Sequence, residues 1–244
     1  MRKIAIANRK GGVGKTTTAV NVAAGLALAG NKVLLIDTDT QGHCSRLLGV
    51  NPDKGLADLI ENKVGPAEAL ITAREGLFLL AGSKRLSGIM RSILKERIHG
   101  LDCILIEALQ PYENKYDFVI LDTAPGFSEM SINVMIYADE LLIPVNMEIP
   151  AIDGLKDLAD ELRQLRGYTN IEVKYIVPTF YEDQTKITTD ILTDLKDNFG
   201  ELVSVPIRKS VKVRESWDKG LTMFEYAIKE RVTKDYALLA RALV

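Results

Sequence analysis

The sequence is poor in the residues that build covalent or metal frameworks. Its 244 residues include two cysteines, two histidines and one tryptophan. Cys44 and Cys103 form no CxxC pair, which argues against a disulfide scaffold or a structural zinc site and fits a reducing compartment. His43, His99 and Trp217 stand in no pattern and read as packing or surface residues. No apolar run reaches the roughly 18 residues that a spanning helix needs. The first residues read as a strand and a loop, not as a signal peptide. Neither sign of charge dominates: 31 Lys and Arg against 33 Asp and Glu give a formal charge of -2. That balance excludes a global pull toward nucleic acid and leaves only local basic patches. Linkers rich in Pro, Gly or Ser, repeats and low-complexity tracts are missing too. The expectation is a soluble cytoplasmic protein with one domain over residues 1–244.

What the chain does have is alternation. Six short apolar runs read as strands: "KIAIA" (3–7), "KVLLID" (32–37), "LFLLA" (77–81), "DFVILD" (117–122), "ELLIPV" (140–145) and "VKYIVP" (173–178). They are apolar at most positions, as strands covered on both faces are. Helical patterns lie between them at Thr16–Ala29, Ser83–Ile98, Ser128–Ala138, Ile152–Arg166 and Thr185–Asn198. Strand and helix in turn predict an α/β, doubly wound, mostly parallel sheet with helices on both faces.

Ligands of such sheets bind beyond the carboxyl ends of the strands. The first strand runs into Asn8 and a glycine loop. The second ends on Asp37, followed by Thr38 and Asp39, and a later one on Asp122. Each Asp alone could be a cap or turn residue; their shared place at strand ends suggests one rim. Gly14-Lys15-Thr16, with a strand before and a helix after, matches the end of a P-loop. Glycines let backbone amides face a phosphate, and the helix N-terminus adds its dipole. Lys15 can reach the β- and γ-phosphates, Thr16 can bind Mg²⁺, and Thr17 offers a second hydroxyl. The first glycine of the general pattern is replaced by Arg9. Lys10 beside it is not asked for by the pattern and reads, on its own, as a solvated lysine.

"KGGVGKTT" (10–17) resembles the deviant Walker A motif of the ParA/MinD ATPases. "VLLIDTDTQG" and "YDFVILDTAPG" resemble that family's second motif and Walker B segment. "ADELLIPVNMEIPAIDGL" and "VPIRKSVKVRESWDKG" look like its later segments, with short Soj-like ParA proteins the nearest in kind. The likeness covers nearly the whole chain and is weakest over residues 50–115. It implies that Lys10 crosses a homodimer interface to the partner's nucleotide, so that two subunits sandwich two ATP molecules. It implies that Lys10, Gly11, Gly12, Val13, Gly14, Lys15, Thr16 and Thr17 hold ATP. It further implies that Thr16 and Asp122, with Asp37, hold Mg²⁺, and that Asp39 orients the attacking water. Gly126 would let the loop after Asp122 respond to the γ-phosphate. Thr40 stands where the family usually has proline, which implies a more mobile loop.

The segment 208–214, "RKSVKVR", has four basic residues and no acid. Alone it reads as a solvated basic loop or strand edge. The resemblance makes Lys209, Lys212 and Arg214 candidates for nonspecific DNA contact, through the phosphate backbone. Pro206 and Arg208 are candidates for the adenine side of the nucleotide. Lys84, Arg91 and Lys95 share one face of an amphipathic pattern and receive no function. Val232, Tyr236, Leu239, Ala240 and Leu243 have helical spacing that fits core packing better than a membrane helix. The implied activity is ATP hydrolysis in DNA partition or cargo positioning, triggered by a ParB-like partner on the cargo, with nucleoid association and no membrane. The glycine loop begins near residue 9, so no operator-binding module is expected before it. A MinD-like membrane switch and a P-loop metabolic enzyme are the competing readings. A nitrogenase-like reductase would need cysteines after Asp122, where Thr-Ala-Pro-Gly stands.

Overall fold

The structure is a computed structural model that describes residues 1–89, 104–148, 151–165 and 167–244. Seven strands form one sheet in the order β3-β4-β2-β5-β1-β6-β7. They are β1 Arg2–Ile6, β2 Val33–Asp37, β3 Leu70–Arg74, β4 Leu77–Leu80, β5 Phe118–Asp122, β6 Glu140–Asn146 and β7 Glu172–Thr179. All neighbours are parallel except β3, which pairs antiparallel with β4 at one edge. The doubly wound, mostly parallel architecture follows from the apolar runs. β3 is the strand that the runs do not foretell, because "LITAR" is short and half-exposed, as an edge strand can be.

Alternate residues of the central strands feed two cores. Ala5, Leu34, Ile36, Val119, Leu121 and Leu141 face one, while Ile4, Ile6, Leu35, Ile120 and Leu142 face the other. Both faces must be apolar, so the strands carry no polar alternation. On the second face the helix Lys15–Leu28 packs against the C-terminal helix Arg231–Arg241. Gly25 makes this crossing close: a Cβ there would lie 2.8 Å from the Cβ of Ala240. Val232, Tyr236, Leu239, Ala240 and Leu243 are buried, so the apolar stripe of the last helix belongs to the core. Among the described residues no helix is long and apolar enough to cross a membrane.

The helix at Glu129–Tyr137 is capped by Ser128, whose hydroxyl oxygen accepts from Ser131 N. The amphipathic pattern that begins at Ser83 is helical over 85–89, with Leu86 and Ile89 buried. Met90, Arg91, Ile93, Leu94, Lys95, His99 and Cys103 lie outside the described residues. The basic segment differs from the loop or strand edge that its charge suggests. Ser210 caps a helix at Val211–Lys219, its hydroxyl accepting from Lys212 N.

Candidate nucleotide-binding site

The loop between β1 and the helix Lys15–Leu28 stands at the carboxyl rim of the sheet. Asn8 opens it, donating through Nδ2 to Pro144 O at 2.8 Å and accepting from Lys10 N at 2.9 Å. Gly12 and Gly14 take φ of 74° and 87°, the left-handed region where glycine is at ease. Gly14 is also the N-cap of the helix, with no side-chain cap, so the first helical amides face the loop. Gly11 and Gly12 are exposed, Val13 is buried, and Thr179 Oγ1 fastens the loop by donating to Val13 O at 2.9 Å. Thr16 is half-buried and Thr17 buried at the start of the helix. Such a row of amides at a helix N-terminus is a cradle for an anion.

The two lysines diverge. Lys15 is buried, and its Nζ donates to Asn8 O at 3.0 Å and Lys10 O at 3.1 Å. Burial pushes its pKa down, while Asp122 and Asp39 pull it up. Lys10 instead projects from the rim with its side chain 52% exposed. Its Nζ meets Asn146 Oδ1 at 3.3 Å, at the end of β6, and Glu148 Oε2 at 3.2 Å, just past it. Arg9 turns outward to Glu161 at 3.2 Å, and its carbonyl accepts from Gly126 N at 3.0 Å. The glycine loop is thereby tied to the loop after Asp122.

The carboxylates gather beside it. Asp37 and Asp122 pair in register on β2 and β5, both fully buried. Asp37 accepts from Asp39 N and Cys44 N, each at 3.0 Å. Burial nevertheless raises its pKa to about 6. Asp122 rises well above the carboxylate range, through burial first and then the nearby charge of Asp37; the Thr16 hydroxyl pulls it back. Asp122 Oδ2 takes the Cys44 thiol at 3.5 Å, while among the described residues Oδ1 is buried with no partner at hydrogen-bonding geometry. Asp39 is buried close by, and its Oδ1 accepts from Gln41 N at 2.9 Å. A buried carboxylate oxygen without a donor, beside a helix-initial threonine, is the donor set a hard divalent cation takes.

The residues proposed for adenine and DNA lie past β7. The chain at 204–209 runs beside the end of β7, with Ile207 N donating to Pro178 O at 2.7 Å. Pro206 is half-buried there. Arg208 pairs with Asp235 and, at 3.8 Å, with Asp183, in a cleft of about 340 Å³ that Tyr181, Lys209, Ser210 and Arg231 also line. Lys209 pairs with Glu182 at 2.7 Å and Lys212 with Glu215 at 2.8 Å, whereas Arg214 is exposed. Three site neighbours escape the sequence reading. Cys44 touches Asp122, which no spacing rule signals. Thr179 ends β7 at the rim and Phe180 follows it, the same strand-end position that pointed to the aspartates.

Fold and loop together define a P-loop protein. Residues 1–175 match the AAA domain family. The chain is 33% identical to the chromosome-partitioning ATPase Soj of Thermus thermophilus over 247 residues, covering 100% of this chain and 96% of that protein. It belongs to the ParA/MinD family of ATPases. Two solved structures are similar. One is a variant of McdA from Cyanothece in complex with ATP, at TM-score 0.83 and 25% identity, with 100% and 96% of the chains covered. The other is cobyrinic acid a,c-diamide synthase from Mycobacterium smegmatis with an ATP analogue and magnesium, at TM-score 0.85 and 30% identity, with 100% and 94% covered.

Proposed function

We propose that the chain, as one ATPase unit over residues 1–244, is a positioning switch that dimerises on ATP, holds DNA nonspecifically and lets go on hydrolysis. The observation that carries this reading is the divergence of the two loop lysines. Lys15 serves its own loop from within, while Lys10 offers a half-exposed cation at the rim, where a second subunit can dock. A cation given in trans would neutralise charge developing in phosphoryl transfer and make assembly depend on the γ-phosphate. ATP would lie on the amides of residues 11–17. Mg²⁺ would be held by Thr16 and Asp122, with Asp37 beside them, and the charge of the cation would help to neutralise the phosphates. Asp39 would orient the attacking water.

For DNA, the capped helix at 211–219 carries Lys212 and Arg214, with Lys209 just before it. In a dimer the set is doubled, and affinity should fall steeply with salt. The ion pairs to Glu182 and Glu215 would have to yield to phosphates. A relative named for chromosome partitioning supports this use, and the reading extends to a nucleoid location and a cargo-bound ParB-like activator. The buried stripe of the last helix speaks against a MinD-like membrane switch.

The test is mass by light scattering and DNA retention on filters, with ATP, ADP or no nucleotide, across a salt series. The expected result is a dimer and salt-sensitive, sequence-indifferent DNA binding with ATP alone, both absent in Lys10→Ala although that variant still binds ATP. ATP-dependent dimers of Lys10→Ala would refute the role in trans. A second reading, ATP-driven chemistry on a small molecule, draws on the likeness to the diamide synthase. DNA binding that ignores the nucleotide would shift weight to it.

A further inference from the structure

Cys44 is a free, wholly buried thiol that the nucleotide reading does not use. It stands in the first turn of the short helix His43–Leu47, which the chain enters through Gly42. Gly42 takes φ 63°, and a Cβ on it would lie 2.7 Å from Gly82 O. A Cβ on Gly82 would in turn lie 3.0 Å from Asp37 Cγ. Two glycines thus let the turn close on the strand ends and set Cys44 against the aspartates. The Cys44 sulfur and one carboxylate oxygen each from Asp37 and Asp122 lie within 4.8 Å of one another. All three residues are wholly buried. Sγ is 3.5 Å from Asp122 Oδ2. That is also the separation of a sulfur and an oxygen bound to one tetrahedral zinc ion, from bonds of about 2.3 and 2.0 Å. Asp122 Oδ1, buried as well, has no hydrogen-bond partner among the described residues. Lys15, the buried cation of the loop, donates to Asn8 O and Lys10 O instead.

We propose that Asp37, Cys44 and Asp122 form a site for a thiophilic divalent cation, Zn²⁺ or Cd²⁺, whose binding withdraws Asp122 from Mg²⁺. Magnesium takes oxygen ligands and leaves the thiol unused, whereas sulfur selects softer ions. Three protein ligands with one position left to water is an arrangement zinc accepts. The thiol releases its proton to solvent as the metal–sulfur bond forms. Binding stands on the three side chains alone; the competition rests on the reading that the loop holds a nucleotide with Mg²⁺.

The probe is Cd²⁺, whose bond to a thiolate gives a charge-transfer band in the ultraviolet. Cys103→Ser is the background, so that Cys44 is the chain's single thiol. Titration without nucleotide should raise the band to one Cd²⁺ per chain, and the thermal midpoint should rise with it, because the ion binds the folded state. Cys44→Ala in that background should lose the band and bind Cd²⁺ at least about tenfold more weakly, since even outer-shell changes cost roughly 10–100-fold in metal affinity. Cys44→Ser keeps a donor to Asp122 and repeats the test with less loss of packing. Asp122→Asn keeps the thiol and should weaken Cd²⁺ binding by a similar factor. Mg²⁺ with a non-hydrolysable ATP analogue should raise the Kd for Cd²⁺ about tenfold, within the usual range for coupled sites. A background chain without the band, or a Cd²⁺ affinity unchanged in Cys44→Ala and Cys44→Ser, would overturn the site. An unchanged affinity in Asp122→Asn would reduce it to a lone thiol and overturn it too. An analogue that binds without moving the Kd for Cd²⁺ would overturn the competition. An analogue that gives no binding heat would overturn the nucleotide reading, and the band would still decide the cation site.

Discussion

Asp37 and Asp122 stand directly opposite each other at the ends of β2 and β5, and both are wholly buried. Burial raises the pKa of both carboxyl groups, and at Asp122 the charge of Asp37 adds to the effect. Among the described residues Asp122 Oδ1 also has no hydrogen-bond partner. The site therefore holds destabilising groups that function can explain. Asp122→Asn should raise the thermal midpoint, by about 2–4 °C for each kcal/mol relieved in a chain of this size. It should also cut ATP hydrolysis by about a hundredfold or more. Calorimetry and phosphate release check the pair of effects; a variant that is both less stable and fully active would contradict the argument.

Asp39 is buried in the turn after β2, where Gln41 N holds its Oδ1 at 2.9 Å. Removing a group that only orients the nucleophile should leave nucleotide affinity alone and slow the chemical step by roughly 10²–10⁴. Asp39→Ala should thus bind ATP with unchanged Kd and dimerise, yet release phosphate slowly. Normal turnover would take Asp39 out of the catalytic set.

The sheet was legible because strands buried on both faces cannot hide: "KVLLID" and "DFVILD" are apolar almost throughout and end on the aspartates that pair. The edge strand β3 was not, since an edge can mix polar and apolar residues. The glycine loop was legible because its conformation restricts residue choice. Partners brought in from distant sequence were not, Cys44 against Asp122 and Thr179 against Val13 among them. Nothing in the sequence near Arg9 foretells Glu161, which lies on the helix Ala151–Gln164. The basic segment showed its charge but not its helix, because Ser210 becomes a cap only once the chain has left β7's side.

Gly49 and Gly220 bring two backbones into contact behind the basic helix. Both have positive φ, and a Cβ on Gly220 would lie 2.4 Å from Gly49 Cα. Arg74 braces the contact, donating to Leu48 O at 3.0 Å and Gly220 O at 3.1 Å. Gly220→Ala therefore meets both strain and a clash with main chain, which cannot step aside. It should cost about 2–3 kcal/mol, a fall of roughly 5–10 °C in the thermal midpoint. Gly30→Ala is the control, because its φ is 89° but nothing lies within 4 Å. It should lose only about 1 kcal/mol. Equal losses at the two sites would show that the Gly49 contact contributes nothing.

Arg2 grips Glu140 with two bonds, Nε to Oε1 at 2.7 Å and Nη2 to Oε2 at 2.8 Å, and so ties β1 to β6. Its third nitrogen reaches Leu243 O at the chain's end. The bonds from Arg2 hold the Glu140 carboxyl below its ordinary range, against the opposing effect of burial. A carboxylate with a lowered folded pKa contributes stability above its unfolded pKa, near 4.5. It loses that contribution as pH falls through the folded value. Glu140→Gln keeps the shape without the charge. At pH 7 it should melt about 2–4 °C below the parent, since a partly solvated bidentate pair contributes about 1 kcal/mol. The gap should narrow below about pH 4.5 and close once Glu140 is protonated in both states of the parent. Melting curves from pH 7 down to the acid limit of folding check this. A gap of constant size would mean that the pair acts through packing alone, with the carboxylate charge irrelevant to how β1 is held.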